Sequence, residues 1–154
     1  MGTSPPPTEQ ALAVAVRKCT CFNLRKAARA VTQLYDEVMR PSGLRATQFS
    51  LLMVIRGAGT VSIGELAERV VMDRTTLKRN LELLERDRLV RIQAGEDARV
   101  RQVSLTGAAH KRLTAALPYW EKAHATMTRR LGPGRSERLL ADLAAAVEAA
   151  EVTS

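Results

Sequence analysis

The chain has 154 residues, 45% of them hydrophobic, which suits one domain with a packed core and leaves length for arms. No apolar run approaches about 18 residues, and the start, MGTSPPPTEQ, has no basic segment followed by an apolar one. The composition thus excludes a spanning helix and argues against a signal peptide, and a cytoplasmic location is expected. The net charge of +8 suggests a polyanionic partner, two cysteines are no disulfide scaffold, and the 3% aromatic content favours packed helices over a β-sandwich.

Residues 1–7 read as a Pro-rich flexible arm. A long helical pattern follows from Thr8 to Met39, with Leu12, Val16, Cys19, Ala27, Val31, Leu34 and Val38 at helical spacing, and Arg40-Pro41-Ser42-Gly43 stops it. A second helix is expected over Thr47 to Ile55, before Gly57 and Gly59. Ser62 and Glu65 form a capping box at the start of a third helix, which runs to Val70. After Val71-Met72-Asp73, Asp73 caps a fourth helix from Arg74 to Asp87 with Leu77, Leu81 and Leu84 on one face. Two helices joined by about three residues have helix-turn-helix spacing.

The period then changes from helical to alternating. Val90 and Ile92 flank Arg91, and Arg101, Val103 and Leu105 alternate with Gln102 and Ser104, around the polar tip Ala94-Gly95-Glu96-Asp97-Ala98. A β-hairpin placed directly after a helix-turn-helix is a wing. Thr106 caps a further helix to Leu131, in which Pro118 is expected to mark a kink or break. Gly132-Pro133-Gly134 ends it, and a last helix runs from Ser136 to Ala150. The expected fold class is mainly α with a small β-hairpin wing. A winged helix-turn-helix over 44–106 is flanked by a helical dimerisation region over 8–40 and 107–154. The apolar stripes of the terminal helices have no partner in the central module, so a second copy of the chain is the expected cover.

The basic excess is not concentrated in the winged segment: from Ser62 to Thr106 there are 9 basic and 8 acidic residues. Only the placement of individual charges can therefore point to nucleic acid. A helix enters the major groove with its N-terminal residues leading. Arg74, Thr75, Thr76, Lys78 and Arg79 occupy that end, while Glu82, Glu85 and Asp87 follow where the helix leaves. Ser62 either caps the third helix or also offers its free amides to a phosphate, and both readings stay open. Arg99, just past the wing tip, suits the negative potential of a minor groove. Asp97, two residues away on the same strand face, is placed to brace it. Arg101, with Arg91, is a phosphate candidate.

These residues resemble the MarR family of transcription regulators over about Cys19 to Leu113. The best stretches are Asn23-Leu24-Arg25 with Ala27-Ala28-Arg29-Ala30, then Ser62-Ile63-Gly64-Glu65-Leu66-Ala67, and Asp97-Ala98-Arg99 leading to Val103-Ser104-Leu105-Thr106-Gly107. The resemblance implies a homodimer on a palindromic double-stranded DNA operator, acting as a repressor. It also implies that the arginine matching Arg99 enters the minor groove, and that control comes from a small molecule or an oxidant.

For control, two readings stand. A cleft is expected where the flanking helices meet the winged module, and in the family such clefts take aromatic acids or phenols. Arg25, Arg29, Tyr35 and Trp120 offer a cation and rings, although Trp120 equally suits core packing. Alternatively, Cys21-Phe22-x-Leu24 with Arg29 and Tyr35 resembles the peroxide-sensing branch. That likeness implies that Cys21 is the oxidised thiol and that Tyr35 of the opposite subunit bonds it. Where that branch has a second tyrosine, this chain has Arg25, one turn from Cys21 and suited to favour a thiolate. In one continuous helix Cys19 and Cys21 would sit about 200° apart and face different ways. His110 and His124 are too few and too distant for a metal motif. No cofactor is expected. The chain shows no Ser-His-Asp order, phosphate loop or paired carboxylates, so an enzyme is not expected. The competing binding class is a nonspecific architectural DNA protein, which would not prefer palindromes.

Overall fold

The computed structural model describes residues 7–150, and the expected arm therefore lies, apart from Pro7, outside the described residues. Within that range the chain forms seven α-helices and a three-stranded sheet. In chain order these are α1 (Glu9–Lys18), α2 (Thr20–Met39), a 3-10 turn over Arg40–Ser42, α3 (Ala46–Ala58), β1 (Val61–Ser62), α4 (Ile63–Arg69), α5 (Arg74–Arg86), β2 (Val90–Ala94), β3 (Arg101–Leu105), α6 (Gly107–Leu131) and α7 (Pro133–Ala150). Contacts divide the chain into two units, residues 1–34 and 35–154.

In the first unit, the long N-terminal helix expected from the sequence is two helices. Thr8 caps α1 by accepting from the Ala11 amide, and Cys19 closes it in an extended conformation. The Asn23 side chain donates to the carbonyls of Arg17 and Cys19 at 3.0 and 2.9 Å across the break, and its backbone amide also donates to the Cys19 carbonyl at 3.1 Å. The Cys19 sulfur accepts from the Phe22 amide in the first turn of α2. Helical spacing alone cannot reveal this break, because the apolar period continues across it. Since Cys19 lies outside both helices, the 200° separation inferred for the two cysteines does not apply.

The second unit carries the core. Leu52, Ile55, Leu66, Leu77, Leu81, Leu84, Val103 and Leu113 are among its largest fully buried side chains. Leu77, Leu81 and Leu84 recur at four and three residues, so one face of α5 is buried and the opposite face is free. Each such burial is worth about 1.5–3 kcal/mol. Three caps set the register of this unit. Ser62 starts α4, and Asp73 starts α5 by accepting from the Thr76 amide at 2.9 Å. Thr106 starts α6 by accepting from Ala109, while its hydroxyl donates to the Arg88 carbonyl at 2.8 Å.

The sheet order is β1-β3-β2, all antiparallel, with Val61 opposite Val103 and Val90 opposite Leu105. The hairpin matches the sequence expectation, whereas β1 does not appear in it, because two residues carry no readable alternation. Pro118 lies within α6 and does not end it. Gly132 alone separates α6 from α7, and Pro133 opens the last helix at its first position, where its missing N–H costs nothing. At Gly43 φ is +72°, which strains any other residue; the Arg112 guanidinium, 2.9 Å from where a Cβ would stand, is the free end of a flexible side chain and could move aside.

Candidate nucleic-acid interface

The buried leucine face of α5 leaves Arg74, Thr75, Thr76, Lys78 and Arg79 exposed together at its N-terminal end. The Lys78 ammonium has only a long 3.9 Å contact with Glu82, with both side chains more than half exposed. Such a pair is worth under about 1 kcal/mol, so Lys78 exchanges partners readily. Arg74 lies over the start of α4, its guanidinium 3.6 Å from where a Gly64 side chain would begin.

Folding brings Arg101 to the same place. Arg74, Lys78 and Arg101 line one groove of about 440 Å³ together with Ile63, Ile92, Glu82 and Glu85. Glu85 is turned to structural use, accepting from the Ile92 amide at 3.1 Å. Three basic side chains against two carboxylates leave this groove between α5 and the β-ribbon with a small positive excess, which suits phosphate oxygens.

Ser62 is fully engaged in its cap. Its hydroxyl accepts from the Glu65 amide at 3.1 Å and donates to the Glu65 carboxylate at 2.9 Å, while its own amide donates to that carboxylate at 3.2 Å. The hydrogen bonds from Ser62 hold the Glu65 carboxyl below its ordinary range. An anion bound at this helix start would meet that carboxylate.

At the wing tip, Gly95 donates to Val100 at 2.7 Å and Val100 donates to the Asp97 carbonyl at 2.9 Å. The tip residues 95–100 are not strand, so Asp97 and Arg99 do not share a strand face as expected. Instead the Asp97 carboxylate accepts from the Arg99 backbone amide at 2.9 Å, shaping the turn from which Arg99 projects. Among the described residues, no ion pair engages the exposed Arg99 guanidinium.

Compared with known proteins, residues 42–100 match the model of the MarR family. A crystal structure of the M. tuberculosis transcriptional regulator MosR in complex with DNA is 44% identical, superposes with a TM-score of 0.76, and covers 88% of this chain and all of its own. The chain belongs to the MarR family. The transcriptional regulator SarZ of Staphylococcus epidermidis is 31% identical over 90 residues, which is 58% of this chain and 61% of its own. For the fold alone, a mutant MarR from E. coli complexed with operator DNA superposes with a TM-score of 0.75 at 20% identity, covering 91% of this chain and 99% of its own. The chain is thus a MarR-family transcription regulator that binds DNA through a winged helix-turn-helix. None of its described helices is long and apolar enough to cross a membrane.

This MarR-family chain also holds an aromatic cluster that the sequence reading only half anticipated. Trp120 stacks between Phe49, 6.1 Å away at 20°, and His124, 5.1 Å away at 3°. The Tyr35 hydroxyl stands 3.4 Å from His124 Nδ1. Burial pushes the Tyr35 hydroxyl above its ordinary value. Beside the stack, a cleft of about 280 Å³ is lined by Phe49, Ser50, Met53, Leu117 and Trp120. Tyr35 and Trp120, candidates from the sequence, are joined here by His124. That link spans 89 residues of chain and carries no local signal. Arg25, Arg29 and Cys21 are exposed on α2 within the unit of residues 1–34, and Cys19 is exposed at the break before it; both thiols are free.

Proposed function

We propose that the chain is a homodimeric repressor of a palindromic operator, each α5 in a major groove and each Arg99 in the adjoining minor groove. The observation that carries this reading is the convergence of Arg74, Lys78 and Arg101 on one groove between α5 and the wing. Thr75, Thr76 and Arg79 join them as base or phosphate contacts, and Ser62 contributes by fixing where α4 begins. Dimerisation is supported by the terminal helices. Leu12, Val16, Phe22 and Leu24 on α1 and α2, and Leu140 and Val147 on α7, are all exposed. These apolar groups, exposed in each unit by itself, call for a second copy. A cytoplasmic location follows from this role.

Selection of bound duplexes from a random pool, with sedimentation of the same preparation, tests the reading. A two-fold site with half-sites about 10 base pairs apart, bound by a dimer, is expected. Binding without enrichment would instead mark a nonspecific architectural protein.

For release, the cleft against Trp120 supports a small planar aromatic acid or phenol, since its volume suits about one ring and its wall is a stacking surface. A second reading, oxidation of Cys21, is favoured by the exposure of both thiols beside the break between α1 and α2. A sulfenic acid or mixed disulfide there would disturb helix packing near the proposed dimer interface. Operator binding before and after organic peroxide separates the readings. Redox control requires wild type and Cys19→Ser to release DNA while Cys21→Ser stays bound. Retention by all three after complete thiol oxidation leaves the ligand.

A further inference from the structure

The two helices of the helix-turn-helix end in the same way. Past α4 the Met72 amide bonds back to the Ala67 carbonyl at 2.9 Å, and past α5 the Leu89 amide bonds back to Leu84 at 2.8 Å. In each case the residue just before has a positive φ. This is a Schellman closure, and its left-handed position normally falls to glycine, because a Cβ crowds the neighbouring carbonyl there. After α5 the residue is Arg88 at φ 58°, with an unbranched side chain. After α4 it is Val71 at φ 49°. A β-branched residue is poorly suited to that region.

The fold gives nothing back for the strain. Val71 is 71% exposed, the most of any exposed large hydrophobic among the described residues. Glycine at this position would remove both the strain and the bare apolar surface. A strained, exposed apolar group in the turn of a DNA-binding motif points to a contact outside the subunit.

Its location says with what. Val71 stands two residues before Asp73, the N-cap of α5, and lines an open groove of about 550 Å³ with Gly64, Asp73 and Arg74. This is the end of α5 that leads into a major groove. The apolar group on offer in that groove is the 5-methyl of thymine. We propose that Val71 is a base-reading residue, its isopropyl group packing on a thymine methyl at the edge of each half-site. The left-handed turn holds the side chain out of the fold and toward the DNA. The inference rests on α5 being the helix that enters the groove.

The test starts from duplexes that the wild-type protein selects from a random pool. Wild type, V71G and V71A are titrated with a selected duplex and with copies in which each thymine in turn is replaced by deoxyuridine, which removes only the methyl. Melting temperatures are recorded alongside. V71G is expected to melt higher than wild type and to bind about tenfold more weakly, with V71A also weakened. Because V71G removes the contact from both subunits, a single substituted thymine in one half-site should weaken wild type by about threefold and should not affect V71G. Equal binding by V71G, or a uniform loss with no thymine coupled to residue 71, overturns the assignment. If selection enriches no site, the reading of α5 itself fails and this inference falls with it, an outcome distinct from the other two.

Discussion

Replacing Arg99 by alanine removes a side chain that the fold does not use. Its guanidinium is exposed and, among the described residues, forms no ion pair; the bond that shapes the tip runs from its backbone amide to Asp97 and survives the substitution. Folding stability should therefore stay within about 0.5 kcal/mol of wild type. Binding should weaken by about 1–3 kcal/mol, roughly 5- to 150-fold, from losing a charged groove contact. If each arginine displaces about one counterion, the slope of log K against log salt should fall by about 0.9 per subunit, near 1.8 for a dimer. Fluorescence anisotropy with a selected duplex across a salt series reads both quantities. Arg99→Lys keeps the charge, so it should retain most of the salt slope while losing affinity that depends on the planar fork. Wild-type affinity and slope in Arg99→Ala would refute the wing assignment, because among the described residues the Arg99 guanidinium has no ion pair whose loss could offset the effect.

Other expectations follow from the same geometry. Lys78→Ala and Arg79→Ala should each weaken binding, and repeating the selection tells a base contact, which shifts the preferred sequence, from a phosphate contact, which does not. Ser62→Ala removes the α4 cap and should cost about 1 kcal/mol of stability, seen as a lower denaturation midpoint. Hydrogen bonds from Ser62 and Thr76 hold the Glu65 and Asp73 carboxyls below their ordinary values of 4.5 and 3.8. Their stabilisation is thus fully present above those values and lost as pH falls through the lower folded ones. Thermal melts from pH 5 to pH 2 should fall less steeply in a Glu65→Gln, Asp73→Asn variant, which keeps both caps without the titration. Trp120 is the chain's single tryptophan, so a phenol or aromatic acid in the adjacent cleft should quench its fluorescence over the concentration range that releases DNA. Leu81→Ala, at a side chain with no exposure, should destabilise the fold by about 2–5 kcal/mol.

Much of this protein is written locally. The capping box at Ser62 and Glu65, the cap at Asp73, the leucines at 77, 81 and 84 and the alternation from Val90 to Leu105 are short-range signals, and each element they imply is present. A cap joins groups three residues apart and an apolar face repeats within one or two turns, so neither needs the rest of the chain. The basic end of α5 was legible for the same reason.

What needed the tertiary structure is whatever depends on groups that meet only after folding. The division of the N-terminal helix at Cys19 rests on Asn23 reaching back to two carbonyls, while the apolar period runs on undisturbed. Two-residue β1 exists only because β3 is there to pair with it. Asp97 bonds the Arg99 amide because the tip folds into a turn that alternation could not foresee. His124 acquires its place from Tyr35, 89 residues away, and from the faces of Trp120 and Phe49. Arg101 joins Arg74 and Lys78 because the hairpin folds back beside α5. Val71, an ordinary valine in the sequence, takes a left-handed conformation because the Met72 amide must reach Ala67 to close α4, and that closure decides which way its side chain is held.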